Sequence, residues 1–159
     1  MNTLIVYDSL YGNTEKIAQA IGAALPGDVQ VLRVGQMNTA DLAAVDLLFV
    51  GSPTHRFRPT EATASFLKDI PKNGLKGVKV AAFDTRYTQS TVDKIAVLSF
   101  FVRLFGYADK RIADLLKKKG GELAVPPEGF YVDDTEGPLL EGELERAATW
   151  AKDIIESTR

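Results

Sequence analysis

Near its N-terminus the chain reads Leu4-Ile5-Val6-Tyr7-Asp8-Ser9-Leu10-Tyr11-Gly12-Asn13-Thr14-Glu15. The first four residues form a short apolar run, which is typical of a strand buried on both faces. Beyond the loop, apolar residues recur at helical spacing and predict a helix over residues 14–25. The loop therefore joins a buried strand directly to the N-terminus of a helix.

This loop has the composition of a phosphate site. Ser9 and Thr14 offer hydroxyl groups, while Gly12 and Asn13 tolerate the turns that bring several N–H groups to one point. The helix adds free N–H groups and the positive end of its dipole, so the donors are neutral. The same residues would also serve as a plain helix cap and turn. The patterns GxxxxGK[ST] and GxGxxG are absent, which argues against a P-loop nucleotidase and against that type of dinucleotide site.

Four more apolar runs follow at residues 29–34, 47–50, 78–83 and 123–125, and helical spacing recurs at residues 108–119 and 141–157. Strands that alternate with helices predict an α/β three-layer sandwich, with a five-stranded parallel sheet of order 2-1-3-4-5 and helices on both faces. Ligands of such sheets bind beyond the carboxyl ends of the strands. We expect one domain over residues 1–159, because no linker or internal repeat divides the chain.

The composition excludes several classes of site and partner. The chain has no cysteine and one histidine, which excludes thiolate catalysis and structural zinc. Its net charge of −2 argues against binding to nucleic acid. No segment resembles a signal peptide or approaches the roughly 20 apolar residues that span a bilayer. We therefore expect a soluble, cytoplasmic protein with no metal site.

The later loops carry a family resemblance. The third strand ends in Gly51-Ser52-Pro53-Thr54, the fourth in Phe83-Asp84-Thr85-Arg86-Tyr87, and Pro127-Glu128-Gly129-Phe130 follows near the C-terminus. With these loops in this order, the chain resembles the flavodoxin-like FMN-binding family over nearly its whole length. It is most similar to the short-chain branch with a DTR motif after strand four. The most specific pieces are residues 7–15 and 51–54.

The resemblance implies FMN as cofactor and a role for each loop. Residues 9–14 would wrap the FMN phosphate, residues 52–57 would line one face of the ring, and residues 84–87 would approach its pyrimidine edge and other face. The cofactor-binding residues implied are Ser9, Leu10, Tyr11, Gly12, Asn13, Thr14, Ser52, Pro53, Thr54, His55, Arg56, Phe57, Asp84, Thr85, Arg86 and Tyr87. No separate catalytic residue is implied.

Two aromatic residues of these loops are candidates for stacking on the flavin. Phe57 would otherwise pack against the next helix, and Tyr87 would otherwise be a plain surface tyrosine. The loop has no glycine between Thr54 and Pro59, so a backbone change that needs a positive φ is expected to be costly there.

The resemblance implies electron transfer, with a redox partner protein that the sequence does not identify. The alternative is an FMN-dependent oxidoreductase that acts on a small apolar acceptor such as a quinone, or on a porphyrinogen. Carrier flavodoxins are typically acidic near the flavin, whereas this chain carries the basic stretch His55-Arg56-Phe57-Arg58, which modestly favours the alternative. A carrier remains the first prediction.

Residues 88–105 form an apolar insertion between the fourth-strand loop and the helix that begins near Tyr107. From Ile95 to Phe105 the only polar residues are Ser99 and Arg103. One interpretation is an elongated helix packed on the sheet. The other is an apolar surface beside the cofactor, which would contact a partner, a quinone-like substrate, a second copy of the chain or a bilayer face.

Overall fold

The computed structural model describes residues 1–55 and 57–159, apart from the side chains of Gln89, Ser90 and Phe105. Six strands form one parallel sheet in the order β2-β1-β3-β4-β5, with β6 also paired to β4. The strands are β1 (Asn2–Tyr7), β2 (Asp28–Arg33), β3 (Leu47–Pro53), β4 (Lys79–Tyr87), β5 (Glu122–Leu123) and β6 (Glu128–Val132). The predicted fold class and strand order are confirmed.

The fifth position of the sheet is divided between two short strands. β5 pairs with the start of β4 at Lys79 and Val80, and β6 pairs with residues 83–87 at its end. The sequence analysis placed one strand at residues 123–125 and treated residues 127–130 as a loop, which was wrong. Pro126 and Pro127 have no N–H to donate to a ladder, so pairing stops and resumes beyond them.

Helices cover both faces of the sheet, and short 3₁₀ segments occur at Val34–Gln36 and Thr39–Ala44. The helices are α1 (Asn13–Ala24), α2 (Glu61–Asp69), α3 (Gln89–Asp93), α4 (Ala96–Phe105), α5 (Ala108–Lys118) and α6 (Glu143–Thr158). The three helices expected from periodicity are α1, α5 and α6, with their ends displaced by one or two residues. No helix among residues 1–55 and 57–159 is long and apolar enough to cross a membrane.

The core has two halves because side chains of a strand alternate between the two faces of the sheet. In β1, Leu4 and Val6 join the half that packs against α2 and α5, whereas Ile5 and Tyr7 join the half that packs against α1 and α6. All four side chains are buried, which explains why this run is apolar without alternation. The sheet therefore holds its strand ends, and the loops after them, on a rigid frame.

The apolar segment after β4 forms two helices rather than one elongated helix. α3 ends at Asp93, and α4 begins at Ala96 after a short turn. Gly106 is the C-cap residue of α4, and Tyr107 is the N-cap residue of α5. This segment therefore lies directly after the carboxyl end of β4, where the fold places ligands.

Candidate functional site

A cleft of about 270 Å³ opens at the carboxyl ends of β1, β3, β4 and β6. It brings together most of the residues that the sequence analysis selected. Those that line it are Ser9, Leu10, Tyr11, Asn13, Thr14, Pro53, Thr54, His55, Phe57, Thr85, Arg86 and Tyr87. Of the other predicted residues, Gly12 shapes the first loop, Ser52 and Asp84 lie behind the cleft wall, and Arg56 lies outside the described residues.

The loop after β1 turns at Gly12 to begin α1. Gly12 has a φ of +89° and its N–H donates to Ser9 Oγ at 3.0 Å. A Cβ at Gly12 would meet no atom within 4 Å, so the left-handed backbone, and not lack of space, favours glycine here. The first N–H groups of α1 have no acceptor within the helix and are available to an anion.

Two side-chain contacts fix this loop against the rest of the cleft. Thr14 is almost fully buried, and its Oγ1 lies 2.9 Å from Thr85 Oγ1 at the end of β4. Asn13 Nδ2 donates to the carbonyl oxygen of Glu136 at 3.1 Å. The loop is thereby held between β4 and the segment that precedes α6.

A charged side chain at the end of the neighbouring strand β2 also supports the loop after β1. Arg33, the last residue of β2, donates from Nη1 to Ser9 O at 3.0 Å and to Asp8 Oδ1 at 3.2 Å. The Asp8 carboxylate also accepts from the Ser9 N–H at 2.9 Å and from the Thr60 hydroxyl. Arg33 thus both holds the loop and offsets the negative charge of Asp8 beneath it. The sequence analysis missed this support, because β2 is remote from the loop in sequence.

The loop after β3 makes a tight turn at the cleft. His55 N donates to Arg58 O at 2.7 Å and Arg58 N donates to His55 O at 3.0 Å. Phe57 within this turn has a φ of +65°, a left-handed conformation that is strained for a bulky residue. Ser52 does not reach the cleft, since it is fully buried and its Oγ accepts from Thr60 N at 3.0 Å. Its role is to fix the loop.

Phe57 joins this turn to α4. Its ring centroid lies 5.6 Å from that of Phe101, with the ring planes 30° apart. Phe57 also lines the cleft, as its proposed role in stacking requires. The ring that it contacts belongs to α4, whereas the next helix in the chain is α2. Tyr87 lines the cleft too, and its hydroxyl is bonded to Thr135 Oγ1.

The three side chains of the DTR motif do not all face the cleft, which the sequence alone does not show. Thr85 and Arg86 face the cleft, but Asp84 is fully buried on the side of α5 and does not line it. Asp84 accepts from Arg86 Nε at 2.6 Å and from the Asp109 N–H at 2.9 Å. The side chain of Asp84, which the sequence analysis selected for the cofactor site, therefore does not face the cleft. Alternation along β4 places Asp84 on the same face as Val80 and Ala82, which pack against α5.

Burial perturbs the acidity of this group. Burial of the Asp84 carboxyl is the largest cause, and it raises the pKa to about 6. The paired guanidinium of Arg86 acts in the opposite direction and lowers this pKa. Arg86 Nη2 also lies 2.8 Å from Asp109 Oδ2. The three charges form one buried cluster that ties the end of β4 to the start of α5.

Arg86 also orients an aromatic residue that the sequence analysis did not select. Its guanidinium carbon lies 3.8 Å from the ring centroid of Tyr107, a cation–π geometry. A Cβ at Gly129 would come within 2.3 Å of Arg86 Nε, so the absence of a side chain on β6 leaves room for the guanidinium. Burial is the main cause that raises the pKa of the Tyr107 hydroxyl. Tyr107 is thus a neutral aromatic wall of the cleft.

The remaining lining residues come from the apolar segment, from the start of α5, and from the end of β6 and the loop after it. They are Val92, Leu98, Val102, Tyr107, Val132 and Thr135. Leu98 and Val102 are four residues apart and therefore lie on one face of α4. That this face meets the cleft depends on long-range packing, which the spacing does not show. The cleft consequently has a polar end at the first loop and an apolar end at α4.

The comparisons with known proteins agree with this architecture. Residues 4–99 match the family model of the flavodoxin domain. The fold is similar to that of a flavodoxin from the domain Archaea, with a TM-score of 0.77 and 22% identity over 100% of both chains. It is also similar to oxidised flavodoxin 1 from Bacillus cereus, with a TM-score of 0.77 and 16% identity over 98% of both chains. A short-chain flavodoxin associated with a bacterial microcompartment gives a TM-score of 0.74 and 18% identity over 100% of both chains.

At these identities the solved structures show a shared fold alone. No curated protein sequence matches the chain. The family model covers more than half of the chain, so the chain belongs to the flavodoxin domain family, whose cofactor is FMN.

Proposed function

We propose that this flavodoxin-domain protein is an electron carrier that holds FMN in the cleft at the ends of β1, β3, β4 and β6. The observation that supports the proposal is the continuity of two different surfaces. A loop of neutral donors at the start of α1 runs directly into an apolar, aromatic cleft. A phosphate ester on a flat apolar ring system has the same two parts.

The donor set of the first loop fits a phosphate. The N–H groups at the start of α1 and the hydroxyls of Ser9 and Thr14 can donate to its oxygens. Thr85 and Asn13 hold this loop in place through their contacts with the Thr14 hydroxyl and the Glu136 carbonyl. Arg33 holds Ser9 O and offsets the Asp8 carboxylate, which would otherwise repel a phosphate.

The apolar end fits an aromatic ring. Pro53, Thr54, His55 and Phe57 would lie on one side of it, with Tyr87 and Tyr107 available on the other walls. Ser52 and Asp84 would act only by fixing these loops, since both side chains are fully buried behind them. The cleft, at about 270 Å³, is small beside the roughly 300–1,000 Å³ of enclosing ligand pockets. A ligand larger than the cleft keeps one edge outside, where electrons can be exchanged.

FMN, when bound, supplies the redox chemistry, because its ring accepts one or two electrons. The chain would bind the phosphate, orient the ring and exclude water from its inner face. A carrier needs no further acid, base or nucleophile. The redox partner protein and the cytoplasmic location both stay predictions, as does the assignment of residues 1–159 to a single domain.

The finer family assignment belongs to the same proposal. We assign the chain to the short-chain branch with a DTR motif, extended by the apolar residues 88–105. The similarity in fold to a short-chain flavodoxin supports this assignment, as does the sequence Asp84-Thr85-Arg86 at the end of β4.

The test is an anaerobic reductive titration of the protein loaded with FMN, followed by absorbance. Electron exchange in one-electron steps with small one-electron donors and acceptors, without steady turnover of NAD(P)H and quinone, is the result expected for a carrier. Direct two-electron reduction with sustained NAD(P)H–quinone turnover would contradict it and favour the oxidoreductase alternative. Failure to bind FMN at all would remove the cofactor assignment on which both functions depend.

A further inference from the structure

α4 has two apolar faces, and only one of them is used by the cleft. Leu98 and Val102 line the cleft. Val97, Phe100 and Leu104 point outward, with 67%, 61% and 62% of their surfaces exposed. The spacing of the outward set follows one face of a helix, so these side chains form a stripe and not scattered exposures.

Neighbouring residues widen this stripe. Ile95 is 51% exposed just before α4, and Phe101 is 36% exposed with its ring 5.6 Å from that of Phe100. The α4 outer stripe, defined as Ile95, Val97, Phe100, Phe101 and Leu104, is the main concentration of exposed large apolar side chains among the described residues. A contiguous exposed patch of this kind marks a contact surface.

Two basic residues flank the stripe. Lys94 precedes it and Arg103 lies within it, and both are exposed. Residues 96–105 include no acidic residue. Asp93 is exposed beside Lys94, and within residues 93–105 it is outnumbered by the two basic residues, Lys94 and Arg103. Apolar and aromatic side chains with flanking basic residues are the composition of helices that lie in a membrane interface.

We propose that the α4 outer stripe lies against an anionic lipid bilayer, with Phe100 and Leu104 in the acyl boundary and with Lys94 and Arg103 at the headgroups. The protein then rests on the membrane without crossing it. Because Leu98 and Val102 on the other face of α4 line the cleft, the contact places the cleft beside the membrane surface.

A second copy of the chain fits this surface less well. Each face carries Lys94 and Arg103 against a single acidic residue, Asp93, so two copies of α4 gain no charge complementarity. The area is also small. Even at roughly 200 Å² for each of the five side chains, their exposed fractions leave at most about 550 Å². A stable dimer buries about 800 Å² on each partner.

The first experiment is vesicle flotation with the FMN-loaded protein. Phosphatidylcholine vesicles that contain phosphatidylglycerol should carry the protein upward, and pure phosphatidylcholine vesicles should carry much less. Phe100→Ser/Leu104→Ser should weaken binding by roughly tenfold or more, because two apolar anchors are lost. The matched control is Leu144→Ser, since Leu144 is 41% exposed on α6, and it should bind as the parent does.

The charge requirement is tested in the same assay. Lys94→Gln/Arg103→Gln should weaken binding to the anionic vesicles by roughly tenfold. The control is Lys117→Gln/Lys118→Gln at the end of α5, which removes the same charge from exposed positions and should have little effect. Flavin absorbance and thermal melting of every variant verify that it is folded.

Insertion is measured separately with a fluorescent probe. The chain has no cysteine, so Val97→Cys and Leu144→Cys each create a single labelling site. A polarity-sensitive dye at position 97 should shift to the blue on anionic vesicles, and the dye at position 144 should not.

Three results would overturn the proposal. The first is no flotation of the parent protein. The second is flotation that Phe100→Ser/Leu104→Ser leaves unchanged. The third is sedimentation showing a dimer that these two substitutions abolish, which would assign the stripe to a second copy. None of these outcomes depends on electron transfer, so the proposed function is tested independently.

Discussion

The two ends of the cleft are built by different means. At the polar end, the loop after β1 and the end of β4 are held by short bonds between buried groups, among them Thr14 to Thr85 and Asp84 to Arg86. At the apolar end, α4 is held by side-chain packing such as the contact of Phe101 with Phe57, and much of its surface faces outward. Removing one member of a buried polar network leaves its partner without a hydrogen bond, which lowers the free energy of unfolding strongly. Shortening an apolar side chain removes only the part of the contact that the lost atoms made. Substitutions at the two ends should therefore differ in size and in kind.

The largest contrast is expected between two arginines, one at each end. Arg86→Met removes the buried partner of Asp84 and Asp109 and should lower the free energy of unfolding by about 3 kcal/mol. Arg103→Met on exposed α4 should change it by less than about 0.5 kcal/mol. Urea unfolding of both variants at pH 7 measures the difference. Similar losses for the two would mean that the buried cluster does not stabilise the polar end.

The pH dependence of the same cluster gives the second test. The folded pKa of Asp84 is raised to about 6, so between about pH 4 and pH 6 only the folded chain holds its proton. The stability from this group is present in acid and is lost as pH rises through about 6. Asp84→Asn does not titrate. The parent should therefore gain stability relative to Asp84→Asn as pH falls from 7 to 4, by up to about 3 kcal/mol.

Unfolding curves of both proteins across this pH range supply the measurement. A difference that is flat with pH, or that grows as pH rises, would show that Arg86 and Asp109 N–H keep Asp84 ionised in the folded protein throughout. The Asp84 carboxyl would then be a permanent ion pair, and the polar end would not respond to mild acid.

The sequence predicts features that lie in contiguous residues better than features that depend on long-range contacts. The first four strands and the loop at residues 9–14 were predictable because each is a contiguous stretch of sequence, an apolar run in one case and a turn that opens a helix in the other. The positions of Tyr107 and Arg33 in the site were not, because each reaches it from a distant part of the chain. The Asp84 side chain lies away from the cleft because the start of α5 covers it, a long-range contact that a local motif does not show.

The apolar end was less predictable for a related reason. The composition of residues 95–105 predicts a helix and a large apolar surface, but both of its faces are apolar, so periodicity does not distinguish the inner face from the outer one. Packing of Leu98 and Val102 towards the cleft decides this. Likewise the division of the fifth strand depends on Pro126 and Pro127, whose effect is visible only when the pairing with β4 is known.

Arg33 gives the third prediction, at the phosphate end. Arg33→Met removes the donor to Ser9 O and leaves the Asp8 carboxylate uncompensated beneath the loop. We expect the Kd for FMN to rise roughly tenfold, as for loss of a charge-assisted bond. Riboflavin lacks the phosphate, so its Kd should change little. Lys16→Met removes an exposed charge of α1 and is the matched control, with an expected change of less than about threefold.

Fluorescence titration of the apoprotein with both flavins measures these constants. Equal losses of FMN and riboflavin affinity in Arg33→Met would indicate a general loosening of the fold. A larger effect from Lys16→Met would assign the phosphate charge to the helix and not to the support beneath the loop.

The smallest expected effect concerns the turn that joins the two ends, where Phe57 holds a φ of +65°. The sequence analysis expected a positive φ in this loop to be costly without glycine, and the structure places Phe57 in that conformation. The cost must be offset by contacts of its ring, including that with Phe101.

Phe57→Ala removes the ring and keeps the strain, whereas Phe57→Gly removes both. Phe57→Gly should therefore be the more stable of the two by about 1 kcal/mol in urea unfolding, although glycine is normally less stabilising than alanine. If Phe57→Ala proved the more stable, the left-handed turn would not be retained without the ring, and the ring packing against α4 would itself determine the backbone of this loop.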